Sequence, residues 1–209
     1  MAEPDDVLLI QFARSPVRGG VKTRLIPALG EQGACDLHIA LVRHTCRQLL
    51  DAALGPVEIW VSGNDQHPVF ADCLDLGASQ LHAQRGDDLG ERMFLALQDG
   101  LQRFRRVLLV GSDCPALDLT YLRSAADALD HAPVVFGPAL DGGYVLVGTR
   151  EVEKGLFTDI AWGESSVLAS TLQRANALGC AVATLEARPD IDRPEDLQHW
   201  QGVSPVSAG

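Results

Sequence analysis

The segment that follows the first apolar run concentrates positive charge in a protein that is acidic overall. No acidic residue occurs between residues 7 and 30, and four cations fall within eleven positions there, namely Arg14, Arg18, Lys22 and Arg24. Guanidinium forks, a compact ammonium and the backbone N–H groups beside Gly19-Gly20 all suit phosphate oxygens. The segment therefore predicts a phosphate-binding loop, and a solvated surface loop is the alternative interpretation.

The spacing excludes two familiar phosphate-binding motifs. A Walker A loop requires glycine directly before Lys22 and again six residues before it, where this chain has Val21 and Pro16. A dinucleotide fingerprint requires G-x-G-x-x-G, and here only the adjacent pair Gly19-Gly20 is present. A kinase-type loop and a dinucleotide loop are both rejected.

A carboxylate follows an apolar run in the middle of the chain. Asp113 comes directly after the run Val107–Gly111 and Ser112, and Pro115 then turns the chain away from the strand. Such a carboxylate can hold Mg²⁺, which takes one or two protein carboxylates together with water and substrate phosphates. A helix cap for the following segment is the alternative.

Two further acidic segments could complete a site. Asp141-Gly142-Gly143 predicts a close backbone approach to a bound group, although a hairpin turn explains it equally well. Asp190 and Asp192 are expected on the same side of an extended segment before Pro194, as a second metal carboxylate or as a capping set.

Short apolar runs alternate with segments of helical period, which is typical of βαβ units around a mostly parallel sheet. Ligand sites of such sheets lie at the carboxyl ends of the strands. The predicted strands are Val7–Phe12, Val57–Ser62, Ser79–Ala83, Val107–Gly111, Val134–Gly137, Tyr144–Gly148 and Ala181–Thr184. The predicted helices are Glu31–Leu54, Asp88–Phe104, Asp118–Asp130, Glu164–Leu178 and Pro194–Trp200.

Composition limits the classes of protein to consider. The chain has 209 residues, of which 46% are hydrophobic, with 17 Lys and Arg against 28 Asp and Glu. A net charge of -11 argues against binding of duplex nucleic acid or of an anionic membrane over the whole surface. No apolar run approaches the roughly 20 residues that span a bilayer, and no export signal is evident. Five scattered cysteines without a C-x-x-C pair suggest reduced thiols, so we expect a cytoplasmic protein.

Four blocks of residues, in this order, resemble the bacterial glycosyltransferase-like family of unsettled specificity in the nucleotide-diphospho-sugar transferase superfamily. The match runs from residue 7 to about residue 200, and Gln84, Gly86, Leu89, Gly90, Arg92 and Trp162 add to it. The blocks are Arg14-x-Pro16-x-x-Gly19-x-x-Lys22-Thr23-Arg24-Leu25, Gly111-Ser112-Asp113-Cys114-Pro115, Gly137-Pro138-Ala139-x-Asp141-Gly142-Gly143-Tyr144 and Asp190-Ile191-Asp192-x-Pro194-Glu195-Asp196-Leu197.

The resemblance implies a single Rossmann-like α/β/α domain of the GT-A fold over residues 1–209, with its core at about 7–200. It also implies nucleotide over the first half of the sheet and Mg²⁺ or Mn²⁺ at Asp113, with Asp192 matching a second metal position. Molybdenum-cofactor and phospholactate guanylyltransferases share this plan. Arg14 stands where the family usually has lysine, which keeps the charge but changes its geometry.

The site residues that we carry over from the resemblance fall into three groups. Catalytic roles are expected for Lys22, Asp113 and Asp141. Nucleotide or phosphate binding is expected for Arg14, Gly19, Gly20, Lys22, Thr23, Arg24, Gly90 and Arg92. Substrate binding is expected for Gly142, Gly143, Tyr144 and Trp162.

Two transfer reactions and one binding role remain open. In glycosyl transfer, an acceptor attacks the sugar carbon of a nucleotide sugar, with Asp141 or Glu164 as candidate base. In nucleotidyl transfer, a substrate phosphate attacks the α-phosphorus of a triphosphate and releases pyrophosphate, which the four cations favour on physical grounds. The resemblance favours the first reaction, and a non-catalytic nucleotide-binding module is the third reading. The expected partners are a nucleotide or nucleotide sugar and a small-molecule acceptor.

Several reactive residue types receive no catalytic role. The six histidines form no metal-binding pattern, and Cys114 is interpreted as packing. Trp162 could stack on a base or sugar or close the core, whereas Trp60 and Trp200 are expected in the core.

Overall fold

Seven strands form one sheet in the computed structural model of the chain, which describes residues 7–200. The strands lie in the order β3-β2-β1-β4-β6-β5-β7. Only β6 runs antiparallel to its neighbours, and the other pairings are parallel. The strand bounds are β1 (Val7–Arg14), β2 (Val57–Ser62), β3 (Gln80–Ala83), β4 (Arg106–Val110), β5 (Val134–Pro138), β6 (Tyr144–Thr149) and β7 (Val182–Thr184).

Five α-helices cover the two faces of the sheet. They are α1 (Ile26–Ala52), α2 (Pro68–Leu76), α3 (Leu89–Leu101), α4 (Leu119–Ala128) and α5 (Val167–Ala177). Alternate residues of β1 point to opposite faces, so that Leu9 packs with α1, α2 and α4 while Leu8 and Ile10 pack with α3 and α5. The expected three-layer α/β/α class with a mostly parallel sheet is therefore confirmed.

The predicted strands agree with the structure to within two residues at each end, because each is an apolar run with clear boundaries. The helix prediction was wrong in three places. Helix α2 was missed, although Pro68 occupies its first turn and the ring of His67 accepts a hydrogen bond from the N–H of Val69. Helix α1 begins five residues before Glu31, because a kink at Gly30, with φ of 69°, joins an extra turn to its start.

The third difference is the segment Pro194–His199, which is a 3-10 helix rather than the predicted α-helix. Its start is fixed locally, since one carboxylate oxygen of Asp196 accepts from the N–H groups of Asp192 and Arg193. Asp196 therefore caps this segment, whereas the capping alternative was predicted for Asp190 and Asp192.

Within residues 7–200, no helix is both long enough and apolar enough to cross a membrane. All five cysteines are free thiols, and four of them are buried. Cys114 is one of the buried ones, and burial raises its pKa to about 12, which agrees with a packing role. Trp60 is buried in the core, whereas Trp200 is only half-buried.

Candidate functional site

The predicted site segments meet at one edge of the sheet. Strands β1 and β4 are parallel neighbours, so the basic loop after β1 and Asp113 after β4 leave the sheet side by side. Strand β5 runs parallel to them and β6 returns from the same edge, which brings the hairpin with Asp141 there as well. Chain topology therefore gathers the segments before any side chain is considered.

Lys22 joins three of these segments. Its Nζ lies 2.7 Å from Oδ1 of Asp113 and donates a hydrogen bond to the carbonyl oxygen of Ile191. The Lys22 side chain is 4% exposed, whereas that of Asp113 is 49% exposed. The Lys22 backbone is left-handed, with φ of 48° and ψ of 41°, which is unusual for a residue with a side chain. A buried ammonium requires such partners, so Lys22 acts here as a brace that orients Asp113.

A basic pocket of about 570 Å³ opens beside this brace. It brings together six of the eight residues expected to bind nucleotide or phosphate. They are Arg14, Gly20, Lys22, Thr23, Arg24 and Arg92. The remaining two, Gly19 and Gly90, do not line it.

Two of the four cations in the basic pocket keep their charge free for a ligand. Lys22 is paired with Asp113, and the guanidinium of Arg24 lies 2.5 Å from Asp192. Arg92 instead donates to the carbonyl oxygen of Gly86 and the hydroxyl of Ser62, which are neutral. Within residues 7–200, no carboxylate lies within ion-pair distance of Arg14. Arg14 and Arg92 are therefore available to an anion.

Arg18 differs from the other cations of the loop. It pairs with Glu31 at 3.2 Å, both side chains are exposed, and neither lines the basic pocket. One of the four cations in the opening loop is therefore a surface residue, as the solvated-loop alternative proposed for the whole segment.

Two glycines predicted to approach a ligand approach protein atoms instead. A Cβ on Gly90 would lie 2.6 Å from the carbonyl oxygen of Phe157 and 2.7 Å from the Trp162 ring. A Cβ on Gly142 would lie 2.0 Å from the carbonyl oxygen of Ser165. Protein atoms alone therefore explain why glycine is needed at Gly90 and Gly142. Their contacts with a ligand stay predictions.

A second, smaller cavity of about 240 Å³ adjoins the basic pocket. The two share Phe12, Leu89, Gly111 and Asp113, so Asp113 stands on their boundary. Three of the four predicted substrate-binding residues line the second cavity, namely Gly143, Tyr144 and Trp162. Trp162 lines this cavity and also packs against Gly90. Its stacking on a base or sugar stays a prediction.

The hairpin that carries Asp141 is a true β-hairpin. Strands β5 and β6 are antiparallel, and Oδ1 of Asp141 accepts a hydrogen bond of 2.8 Å from the N–H of Gly143. The turn alternative is therefore correct. Asp141 is nevertheless also a cavity residue, since the turn presents it at the edge of the second cavity.

The carboxylates of the late acidic segment separate. Asp192 pairs with Arg24, whereas Asp190 lines the second cavity with Asp113 and Asp141. The N–H of Ile191 donates to the carbonyl oxygen of Asp113 at 2.9 Å, which fixes this segment beside the end of β4. Burial, and then the charges of Asp141 and Asp113, raise the pKa of Asp190 to about 6. Asp190 therefore shares the second cavity with Asp113, whereas Asp192 shares the basic pocket with it. The expected metal role of Asp192 stays a prediction.

Asp113 and Asp190 could hold a divalent cation together with ligands that the protein does not supply. Within residues 7–200, no group of three or more His, Cys, Asp or Glu is arranged to hold a metal ion. A hard cation such as Mg²⁺ needs only one or two carboxylates when phosphate oxygens and water complete its shell. Asp113 and Asp190 are suitable ligands of that kind, because each faces the second cavity and their charges repel each other.

Sequence reasoning missed His38 and gave Gln84 no role of its own. The Nε2 of His38 lies 2.8 Å from the carbonyl oxygen of Arg14, and the amide of Gln84 donates to the carbonyl oxygens of Ala13 and Trp60. Both line the basic pocket and hold the end of β1 in place. Burial lowers the pKa of His38, so its ring is neutral at pH 7 and its Nε2 carries the proton. His38 lies on the apolar face of α1, which hides it from pattern analysis.

The comparisons place the chain in a family. Residues 45–164, more than half of the chain, match the family described as "Uncharacterized protein conserved in bacteria (DUF2064)". The crystal structure of a "putative nucleotide-diphospho-sugar transferase" from Desulfovibrio desulfuricans G20 is 30% identical over 98% of this chain and 90% of that chain, with a TM-score of 0.85. The chain belongs to this family, and the resemblance seen in its residues is confirmed. No curated protein matches the sequence.

More distant structures share the fold. A nucleotidyl transferase from Methanothermobacter thermautotroptrophicus is 17% identical, with a TM-score of 0.61, over 92% of this chain and 94% of that chain. Rv0371c from Mycobacterium tuberculosis H37Rv, in complex with manganese, is 16% identical, with a TM-score of 0.57, over 92% of this chain and 96% of that chain.

Lys22→Met should destabilise the protein by about 3 kcal/mol, because breaking a buried ion pair costs roughly 3 to 5 kcal/mol and Asp113 is half-exposed. Arg24→Met is the matched control from the same loop, since its pair is exposed and should contribute less than about 1 kcal/mol. Urea denaturation measures both changes. Equal losses in the two variants would show that Lys22 is not a brace.

Asp190→Asn should raise the free energy of unfolding by about 1 kcal/mol at pH 8. This value is smaller than the pKa difference alone would give, because solvent screens the charge of a partly exposed group. The folded pKa of about 6 exceeds the unfolded value of about 3.9, so the stability contributed by Asp190 is complete below about pH 4 and is lost as the pH rises through 6. The advantage of the variant should therefore disappear at pH 4. Thermal unfolding at both pH values tests this, and a gain independent of pH would contradict it.

Proposed function

We propose that this member of the family is a metal-dependent transferase that binds the phosphates of a nucleotide-activated donor in the basic pocket. The observation that carries the proposal is the 2.7 Å contact between Lys22 and Asp113, which puts the cationic loop and the acidic residues in one cleft. The name of the Desulfovibrio desulfuricans relative supports the same class of activity.

Different residues of the basic pocket would have different roles in binding the donor. Arg14 and Arg92 carry charge that no carboxylate in residues 7–200 neutralises, so they would contact the phosphate oxygens. Thr23 could donate its hydroxyl at the exposed start of the turn before α1. His38 would act through Arg14, because its ring fixes the Arg14 backbone.

The metal would be held by Asp113 and Asp190. A divalent cation there would supply positive charge to the phosphate group that leaves the donor. Lys22 would keep Asp113 aimed at the boundary between the two cavities. Manganese in the Mycobacterium tuberculosis structure of the same fold supports a metal in this class of protein. Asp192, committed to Arg24, would position that guanidinium instead.

Two reactions fit this donor site. Glycosyl transfer agrees with the name of the 30% identical relative and with the carboxylates Asp141 and Glu164 in the second cavity, either of which could accept a proton from an attacking hydroxyl. Nucleotidyl transfer would place a triphosphate in the basic pocket. Of the four cations that line this pocket, Lys22 and Arg24 are paired with carboxylates, and Arg14 and Arg92 would contact the phosphates. We place glycosyl transfer first, because the second cavity has carboxylates where a phosphate nucleophile would lie.

Asp113→Asn should abolish the Mg²⁺ dependence of nucleotide binding and weaken binding at least tenfold, because the amide keeps the shape and removes the charge that a cation needs. Asp192→Asn is the control and should retain Mg²⁺ dependence, since Asp192 pairs with Arg24. Titration calorimetry with nucleoside di- and triphosphates, with and without Mg²⁺, measures this. Unchanged affinity in Asp113→Asn would count decisively against the metal role.

Arg14→Met should weaken nucleotide binding about tenfold and reduce its salt dependence, since a charge-assisted hydrogen bond contributes roughly 1.5 to 3 kcal/mol. Arg18→Met should change affinity by less than about twofold, because Arg18 pairs with Glu31 outside the pocket. The two variants remove the same charge four residues apart. Equal effects would show that only the net charge of the loop matters.

Turnover separates the transferase from a module that only binds nucleotide. Incubation with nucleoside triphosphates or nucleotide sugars, Mg²⁺ and a broad panel of acceptors should release a nucleoside diphosphate for glycosyl transfer or pyrophosphate for nucleotidyl transfer. Release of neither, by a protein that binds nucleotide, would favour the binding module.

A further inference from the structure

The second cavity differs from the basic pocket in the sign of its charge. Its charged lining residues within residues 7–200 are all acidic, namely Asp113, Asp141, Glu164 and Asp190. The adjoining basic pocket has four cations among its lining residues, against two carboxylates, Asp113 and Asp192. The cleft is thus divided at Asp113 into a side that attracts anions and a side that repels them.

The rest of the second cavity is apolar. Leu109 and Met93 are buried residues of its wall, and Phe12 and Val147 come from β1 and β6. The rings of Tyr144 and Trp162 meet edge to face, with centroids 6.4 Å apart. Because the two rings are perpendicular, a planar group could stack on one ring and contact the edge of the other. At about 240 Å³ the cavity is below the roughly 300 to 1,000 Å³ of pockets that enclose whole drug-sized ligands, so it suits a single small group.

The aromatic wall is held in place by two close backbone contacts. Gly90 leaves the room that the Trp162 ring occupies. Gly142 lies against the backbone of Ser165, and its carbonyl oxygen accepts a hydrogen bond of 3.0 Å from the N–H of Leu168. The hairpin and the segment that contains Trp162 are therefore fixed to each other, which gives the cavity a preformed shape.

Electrostatics decides which small molecules this cavity can accept. A phosphate or carboxylate inside it would lie close to several like charges, and this repulsion is stronger in a partly enclosed cavity than in bulk water. A divalent cation on Asp113 and Asp190 would leave Asp141 and Glu164 uncompensated. A hydroxyl or an ammonium would instead find carboxylate acceptors.

From this division of charge we infer that the second cavity binds the acceptor as a small group with an apolar face and a hydroxyl or amine, and that it excludes phosphorylated acceptors. This inference rests on the proposed function, since it gives the acceptor class of the same site. The apolar face would lie against Trp162 and Tyr144, and the polar group would face Asp141 and Glu164.

Competition between small probes tests the inference on the intact protein with Mg²⁺. The reference probe is 2-phenylethanol, observed by saturation-transfer NMR. Tyramine and phenyl phosphate are then compared by how well each displaces it, so that phenyl phosphate in the basic pocket does not count. Tyramine should displace it at least as well as the alcohol itself, and phenyl phosphate should be at least tenfold poorer. Equal displacement by phenyl phosphate, or no binding of 2-phenylethanol, would overturn the inference.

Variants connect the result to the cavity. Trp162→Ala should weaken 2-phenylethanol binding at least fivefold while leaving nucleotide affinity unchanged. Glu164→Lys, at an exposed position that tolerates substitution, keeps the test valid if the tryptophan variant fails to fold. Glu164→Lys should weaken the binding of tyramine and strengthen the binding of phenyl phosphate. A purely structural role of Glu164 would not change the two affinities in opposite directions. Unchanged ratios between the two probes would overturn the inference.

Nucleotide titration of the same samples distinguishes failure of the proposed function from failure of the acceptor assignment alone. Absence of binding by nucleoside di- and triphosphates with Mg²⁺ overturns the proposed function and, with it, the acceptor assignment. Nucleotide binding together with equal displacement by phenyl phosphate overturns the acceptor class alone.

Discussion

The contact between Lys22 and Asp113 is the interaction on which the architecture of the cleft depends. It connects the loop after β1 to the end of β4, and the same ammonium binds the carbonyl oxygen of Ile191 in the late acidic segment. A buried cation and a half-exposed carboxylate at this point fix three chain segments that are distant in sequence. The left-handed backbone at Lys22 is consistent with a position that the surroundings define closely.

Ion pairs around that contact determine which charged side chains remain available in each cavity. Arg24 pairs with Asp192, and Arg18 pairs with Glu31. Arg14 and Arg92 line the basic pocket, whereas Asp141, Glu164 and Asp190 line the second cavity. The excess of acid in the whole chain therefore says little about its ligands. What matters is that the cations of the cleft line the basic pocket, together with Asp192, whereas the charged residues of the second cavity are all acidic in the described part of the chain.

Much of this arrangement could be predicted from the sequence, and the exceptions have identifiable causes. The apolar runs define strand ends well, and parallel neighbours place their ends at one edge, so the meeting of Lys22 and Asp113 followed from topology. The separation of Asp190 from Asp192 depends on the reach of Arg24, which no local pattern encodes. A glycine such as Gly90 or Gly142 indicates that there is no room for a side chain, but the sequence does not show which atoms occupy the space. His38 lies on the apolar face of a helix, where its polar contact leaves no sequence pattern.

The reversed direction of β6 has an evolutionary consequence. Because β6 turns back beside β4, the hairpin from β5 to β6 supplies Asp141, Gly143 and Tyr144 from one short stretch of chain, on the opposite side of β4 from β1 and β2. Under the proposed function, drift in that stretch could diversify acceptor choice among homologues while the donor half keeps its geometry. Related proteins could then share a nucleotide and differ in the molecule that they modify.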